Sequence, residues 1–488
     1  MRNVLLSIIC GICITDLLIA NVSWTVSEQV FVLGILTLAL FVSHYHRALL
    51  PFSICMTLFY FVFGSTLFLV RYDNVRHALP AGTKAIQGEI IEAPKAKAKT
   101  TAVKVRTDEG ATVLCYLAAA DSLAIGDFIE AYSPYGFSST CQQDNPDSVF
   151  GNYYNYLFYQ GISATCYFPK GTWQLTGRGG DGIYSRLRTL QTYVSSKYDS
   201  AGFTGDEGSV IRAMTVGDNA GMSKSLKRQF SAAGVSHILA LSGFHLSVIY
   251  MILDLFLFSV FVPIGWRWIT RLIIIACITA YVVMAGAPPS LVRAAIMYSI
   301  MIVCQSFRRA VLSLDSLVFA AAVMLIADPL LLFSVSFQFS FLSMFGLITA
   351  GNSIYSRIKI RNGVARKIVT SVSSTVICSI FTFPLVGYYF GTIPTMSIVS
   401  NLLVCLLATA LMVIVSVWWL FFFAPPVQSA IGWVLMSVTS VITAITDKIA
   451  SMEWATLEWH PNKISVVLCY LALLTIYLLI RRINPKIA

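Results

Sequence analysis

Two histidines, a serine, a glycine and an arginine stand out near the middle of this 488-residue chain, because they interrupt sequence that is otherwise apolar. The stretch GVSHILALSGFHLS from Gly234 carries His237 and His245 eight residues apart, with Ser242 and Gly243 between them. On one continuous helix that spacing is about two turns and brings both imidazoles to roughly one side. A two-histidine metal site needs a third ligand, and no nearby carboxylate or thiol supplies one, so no metal or other cofactor is assigned. Ser242 and His245, three positions apart, have the residue types of a nucleophile and its base. Without a supporting acid or an oxyanion arrangement they are not assigned as catalytic. Small residues here do permit close backbone approach and a helix break, whose freed carbonyls or amides would face a water-filled path.

A second element, AGAPPSLVRAA from Ala285, places Pro288 and Pro289 at the end of one apolar segment. Ser290 can start the next helix, which leaves Arg293 in its first turn, able to meet a phosphate or to pair with Asp254. Asp16, Asp315 and Asp328 also lie in or beside apolar segments. A charge at the centre of a span costs about 2.5–3.5 kcal/mol on insertion scales, so something wet or oppositely charged must receive each of them. Asp315 and Asp328 sit where span ends are expected and read as interfacial. His245, Asp254 and Arg293 point to a polar cavity or to buried ion pairs.

The elements that must position these groups are membrane spans. Hydrophobic residues make up 57% of the chain and charged ones 12%, and a spanning helix needs about 20 mostly apolar residues. Apolar segments recur at 4–20, 30–42, 49–70, 238–262, 272–287, 291–307, 314–327, 331–350, 368–390, 395–423, 427–445 and 464–480. The expected fold is therefore an α-helical polytopic membrane protein of about 12 spans, some of them tilted, broken or re-entrant. An even count puts both termini on one side. Arg2, Arg47, Arg267, Arg271, Arg308, Arg309, Arg357, Lys359, Arg361, Arg366, Lys367, Arg481, Arg482 and Lys486 would then share the cytoplasmic side, against Lys448 and Lys463 in the opposite short loops. This bias predicts cytoplasmic termini and an extracytoplasmic polar block. A cleavable signal peptide is not expected, since Asp16 interrupts the first apolar core and Val30 opens another segment at once.

The net charge of +11 is thus mostly an insertion signal, for the block at 71–233 carries 17 basic and 15 acidic residues. Only Lys95, Lys97, Lys99, Lys104 and Arg106 form a local basic run, which reads first as a solvated hairpin. Four regions are expected: spans in 1–70, a small extracytoplasmic β-barrel in 71–176, amphipathic interfacial helices in 177–236, and a transmembrane region in 237–488. The barrel rests on five β-type runs, AIQGEIIE from Ala85, TAVKVRT from Thr101, TVLCYL from Thr112, DFIEAY from Asp127 and ISATCYF from Ile162. Five short strands between turn residues suit a barrel of the OB type. FGNYYNYLFYQG from Phe150 reads as a short helix whose rings cap the barrel core, with base stacking as its functional alternative. In the helical region, Ile183, Leu187, Leu190, Val194 and Tyr198 mark one apolar face, and Ser223 is an N-cap for the helix carrying Leu226 and Phe230. Cys115, Cys141 and Cys166 fall in the outward block, where a disulfide could persist. Three pairings are open, and Cys141 with Cys166 is the one put forward.

Several of these stretches, taken in order, resemble the ComEC competence family, the membrane channel that takes transforming DNA into bacteria. They are Gly217 and Asp218, SHILALSGFH at 236–245, GAPPSLVRAAIM at 286–297, Asp328 and Pro329, SFQFSF at 336–341, and FTFPLVGYYFG ending at Gly391 followed by Asn401. The resemblance covers nearly the whole chain, and the serine-glycine-x-histidine element is its most specific part. It implies an outward OB-type domain and a competence-type channel region in 237–488 that passes one DNA strand. His237, Ser242, Gly243, His245 and Gln338 then map near the channel. Many members continue into a metallo-β-lactamase-like domain, whereas no HxHxDH element occurs here, so no hydrolytic zinc site is expected and strand degradation would fall to a separate nuclease.

The function expected is a bacterial cytoplasmic-membrane channel for single-stranded DNA in competence. The lipid bilayer is its setting, and an outer-face DNA receptor and a cytoplasmic helicase-like motor are partners that the resemblance implies. Each phosphate carries a charge that hydrocarbon cannot solvate, so such a path needs water, polar linings and few, weak positive sites. No GxxxxGK[ST] loop occurs, so ATP use by this chain is not expected and it is not read as an enzyme. The alternative is a transporter of another anionic solute through a polar intramembrane cavity.

Overall fold

The computed structural model describes residues 2–19, 25–46, 49–80, 82–96, 99–118, 123–141, 151–179, 183–258, 267–306, 313–355, 358 and 360–483. Arg47, Lys97, Arg308, Arg309, Arg357, Lys359 and Lys486 lie outside the described residues, as do the side chains of Ile183, Arg267, Arg481 and Arg482. Two compact units emerge: Met1–Thr189 with Asp315–Phe337, and Leu190–Leu314 with Gln338–Ala488.

Helical structure occupies every apolar segment expected to span, together with a β-sheet domain. Among the described residues, five helices are long and apolar enough to cross a membrane: Val26–Tyr45, Leu49–Arg76, Gly363–Phe390, Ser397–Leu420 and Pro425–Ala450. Shorter apolar helices fill the other expected segments.

In the first unit, Arg2–Leu18 crosses Leu49–Arg76 at two glycines. A Cβ on Gly11 would sit 2.0 Å from the Phe61 carbonyl oxygen, and one on Gly64 would sit 2.5 Å from that of Ile8. Only hydrogen at these two positions lets the backbones approach so closely. Polar side chains then bond across the contact, Thr15 Oγ1 and Gln29 Nε2 both donating to Ser65 Oγ, at 2.7 and 2.8 Å. The acids in and beside these apolar segments each meet a partner. Asp16 accepts from the Tyr159 hydroxyl at 2.8 Å, Asp315 meets Arg2 at 3.5 Å, and Asp328 meets Arg71 at 3.4 Å. Asp328 also caps the short helix Pro329–Phe333, accepting from the Leu330 amide.

The five expected strands all form: β1 (Ala85–Ile90), β3 (Thr101–Thr107), β4 (Thr112–Leu117), β5 (Phe128–Tyr132) and β7 (Ala164–Phe168). Short strands β2 (Lys95–Ala96) and β6 (Ser138–Ser139), with β8 (Trp173–Gly177), complete a sheet in the order β6-β7-β4-β3-β1-β5-β8, with β2 on β3. Among the described residues, only β4 and β7 pair in parallel. The sheet curls round one core of Ile86, Ile90, Val103, Val105, Val113, Ile129 and Phe168, onto which Trp173 and Leu175 of the far edge also pack. The aromatic stretch divides its roles, because a helix turns different residues to opposite sides. In Gly151–Phe158, Leu157 is buried against Leu114 of β4 and Phe158 against Tyr72 of Leu49–Arg76, whereas Tyr153 and Tyr156 face outward.

The expected Cys141–Cys166 disulfide is not formed. Cys141 Sγ lies 3.1 Å from the Tyr72 hydroxyl, and Cys166 Sγ donates to the Gly136 carbonyl at 3.1 Å. The strand register sets Cys166 beside Cys115 instead, and both remain thiols.

The second unit has its core where Gly205–Val216 and Lys224–Ala232 meet Ser397–Leu420 and Pro425–Ala450, around Ile211, Met214, Phe230, Leu411, Leu435 and Ile442. Two expectations for 177–236 need correction. Gly205–Val216 is not amphipathic, since every residue from Gly208 to Val216 is buried. In Ile183–Ser200 the inward stripe is Gln191, Val194, Ser195 and Tyr198, and Leu190 points out. Polar groups turn inward because the end of Gly205–Val216 needs partners: Gln191 Nε2 donates to the Val216 carbonyl at 2.7 Å and Ser195 Oγ to Asp218 at 2.8 Å. Ser223 does cap its helix, accepting from the Leu226 amide at 3.1 Å.

Candidate functional site

The segment expected as one span at 238–262 is broken. A short helix, Ser236–Leu239, ends before Ala240, and a new helix, Gly243–Phe258, begins after Ser242. The two-turn argument for His237 and His245 therefore fails, for no continuous helix joins them. His237 is exposed on the short helix, whereas His245 is buried, 1% exposed.

The spacing S-G-F-H explains how the second helix starts. The backbone N–H of Ser242 donates to His245 Nδ1 at 3.1 Å, and Ser242 Oγ lies 3.2 Å from the same nitrogen. In a capping box the third helical residue, usually Glu or Gln, reaches back to the N-cap amide. Here histidine takes that place. Because a backbone N–H can only donate, Nδ1 must accept, and in neutral imidazole the proton then resides on Nε2. That Nε2 is buried with no hydrogen-bond partner among the described residues.

The PPSLVR element closes on this break. The helix Arg267–Met284 ends in a turn with Gly286 at φ 87° and Ala287 at φ 50°, and Pro289 opens the next helix, Pro289–Ser306. Ser290 stands at the start of this helix, as expected. Its Oγ donates to the Leu241 carbonyl, freed by the break, at 2.8 Å. The Gly217 turn packs from beneath: its φ is 75°, and a Cβ there would lie 2.7 Å from Leu241 Cδ1 and 3.5 Å from the Ala285 carbonyl oxygen. Three motif elements thus meet around Leu241.

Arg293 lies on the second helical turn rather than the first, and is 7% exposed. A Cβ on Gly243 would come within 3.7 Å of its Nη2 and 3.2 Å of the Ala294 Cβ, so glycine makes room for the guanidinium. Nη1 donates to the Ser340 carbonyl at 2.5 Å, and the guanidinium carbon stands 5.7 Å from the Phe341 ring centroid. The SFQFSF element therefore cradles it. Asp254 does not: it lies about three turns farther along its helix, next to Tyr250, and no carboxylate forms an ion pair with Arg293 among the described residues. Gln338 accepts from the Tyr389 hydroxyl at 2.9 Å.

Unsatisfied atoms concentrate here. Among the described residues, four buried side-chain polar atoms lack a partner, and three of them are His245 Nε2, Arg293 Nε and Ser340 Oγ. A buried cation without a counter-charge is costly. All three groups can donate, so the arrangement suits an anionic or oxygen-rich visitor. Ser340 was missed in the sequence; its only signal was its place beside Phe341 in the SFQFSF stretch.

The family model described as Competence protein matches residues 214–483 of this chain. The chain is also similar to ComE operon protein 3 of Bacillus subtilis (strain 168), 29% identical over 202 residues. That stretch is 41% of this chain and 24% of the relative, so the match spans about a quarter of the relative's length. No solved structure matches.

Proposed function

Since the chain belongs to the Competence protein family, we propose that it is a membrane channel that passes single-stranded DNA into the cell during competence. One observation carries the reading: the SGFH, PPSLVR and SFQFSF elements converge on a buried guanidinium that has no carboxylate partner among the described residues. A phosphodiester is the visitor that would complete it. One fixed cation with few donors attracts a phosphate without trapping the strand, as conduction requires. His237, Ser242, Gly243, His245, Asp254, Arg293 and Gln338 are proposed for the path or its walls.

The rest of the reading has its own support. About twelve crossings, with cytoplasmic termini and residues 71–176 outside, are the reading that the helical segments and the placement of Lys and Arg support. The OB-type assignment of the curled sheet is supported by its pairing, β1 with β3 and β5, β3 with β4, and β4 in parallel with β7. In this view the chain conducts and does not cleave. A receptor delivers the DNA, a helicase-like motor draws it in, and a separate nuclease removes the other strand.

The test is uptake of labelled DNA by competent cells carrying Arg293→Ala or His245→Ala at normal membrane levels. Loss of internalised strand with surface binding intact is expected. Normal uptake in both would remove these residues from the mechanism. Flux of a small anion in proteoliposomes, unaffected by DNA, would favour a solute transporter instead.

A further inference from the structure

The helix Gly363–Phe390 carries a polar face that the Arg293 site leaves unexplained. Lys367, Ser371, Thr375, Cys378, Thr382 and Tyr389 follow at intervals of four, four, three, four and seven, so they share one side of the helix from end to end. Val369, Val376, Ile380 and Phe383 form the opposite, apolar side, where Val369, Ile380 and Phe383 are exposed, as residues that meet lipid are. Small polar residues on a membrane helix commonly pack it against a neighbour. Here the buried residues of the helix are Ile377, Pro384 and Gly387, none of them on the polar face. Ser371, Thr375, Cys378 and Thr382 are only half-buried.

Three contacts tie this face to the rest of the bundle. At one end the Tyr389 hydroxyl donates to Gln338 Oε1 at 2.9 Å. Midway, the Cys378 thiol and the Arg293 guanidinium are electrostatic neighbours. Arg293 and Ser340, 7% and 8% exposed, there hold polar side-chain atoms with no hydrogen-bond partner among the described residues. Toward the other end, the Tyr355 hydroxyl meets that of Ser374, on the flank of the polar face, at 2.6 Å. The hydroxyls spend their protons on their own helix: Ser374 Oγ donates to the Thr370 carbonyl at 2.8 Å, Thr375 Oγ1 to that of Ser371 at 3.1 Å and Thr382 Oγ1 to that of Cys378 at 2.9 Å. What they turn outward is oxygen lone pairs, which order water but offer a phosphate no donor.

We propose that this face is the wetted wall along which the strand travels from Arg293 to the end of the helix at Lys367. The inference rests on the channel reading and gives it a route and a lining. A polyanion crossing hydrocarbon must keep its water. Hydroxyls already bonded to their own helix hold that water without fixing the phosphates, so the strand is attracted at Arg293 and slides beyond it.

The experiment treats competent cells producing the parent, Ser371→Cys, Thr375→Cys, Val376→Cys or Ile380→Cys with a sulfonate-bearing methanethiosulfonate, and locates the modified cysteines by mass spectrometry. The parent already carries a probe in Cys378, where no substitution can disturb folding. Modification at Cys378 and in Ser371→Cys and Thr375→Cys is expected to be about 10-fold or more faster than in Val376→Cys and Ile380→Cys, because the reactive thiolate forms in water and not in lipid. Import of labelled DNA should fall in step with modification of the polar face and return when reductant removes the reagent. Val376→Cys and Ile380→Cys should add no further loss. An unreactive polar face, or equal rates on both sides of the helix, would overturn the proposal. So would import that continues at the untreated rate through a fully modified face. Loss of import in Arg293→Ala together with an unreactive face would keep the channel reading and remove only this route.

Discussion

His245 Nδ1 accepts a hydrogen bond from the backbone N–H of Ser242 at 3.1 Å, so a histidine closes the first turn of the helix it belongs to. This one contact decides three things: where the broken span resumes, which imidazole nitrogen bears the proton, and that Nε2–H points away from its own backbone. Capping and function can therefore be separated by substitution. Glutamine is also a capping-box residue. His245→Gln should retain thermal stability in detergent, whereas His245→Ala should lose about 1 kcal/mol. Both are expected to lose DNA uptake. Full uptake in His245→Gln would reduce the residue to a cap.

Arg293 offers the complementary separation. Replacing a buried charge by an apolar side chain of similar length is often neutral or stabilising. Arg293→Met should keep or raise the melting temperature while abolishing uptake. Arg293→Lys keeps the charge but cannot both bond the Ser340 carbonyl and lie flat by Phe341, so only partial uptake is expected. A marked fall in stability for Arg293→Met would show that the guanidinium is structural.

The FTFPLVGYYFG stretch owes its glycines to Trp459 and His460. A Cβ on Gly387 would lie 2.3 Å from Trp459, and one on Gly391, at φ 67°, would lie 2.2 Å from His460. Gly387→Ala and Gly391→Ala should each destabilise the protein by about 1–3 kcal/mol through overpacking. Thermal shift of the purified variants checks this, with Gly363→Ala, where a Cβ would meet nothing, as the control.

Asp328 serves as a cap and as the partner of Arg71, and the cap should matter more. A half-exposed ion pair contributes at most about 1 kcal/mol, and Asn preserves the cap while removing the charge. Asp328→Asn should be nearly as stable as the parent, and Asp328→Ala about 1 kcal/mol less stable. Equal losses would assign the role to the ion pair.

Burial pushes the Cys115 and Cys166 thiols above the ordinary thiol range. The reactive thiolate is therefore scarce at neutral pH, and alkylation of the folded protein should accelerate only as pH rises past that range. Mass spectrometry after alkylation in denaturant, without reductant, should find Cys115, Cys141 and Cys166 all labelled. Two fewer labels would restore a disulfide.

The sequence by itself determined what local physics controls. Runs of apolar residues became helices because hydrocarbon demands internally bonded backbone. The five β-type runs became strands within a residue or two of their expected ends, since alternation and turn residues are local signals. Ser223 announced its cap for the same reason. Other features were decided only by the tertiary structure. Ile183–Ser200 turned a polar stripe inward because the carbonyl of Val216 and the carboxylate of Asp218 needed partners from another element. His237 and His245 parted because freed backbone groups at Leu241 and Ser242 found better partners in Ser290 and His245 than in a continuous helix. Arg293 settled on Ser340 and Phe341 rather than Asp254, a choice made by which helices pack together. Spacing along a chain cannot report that, because the energy lies in contacts between residues dozens of positions apart.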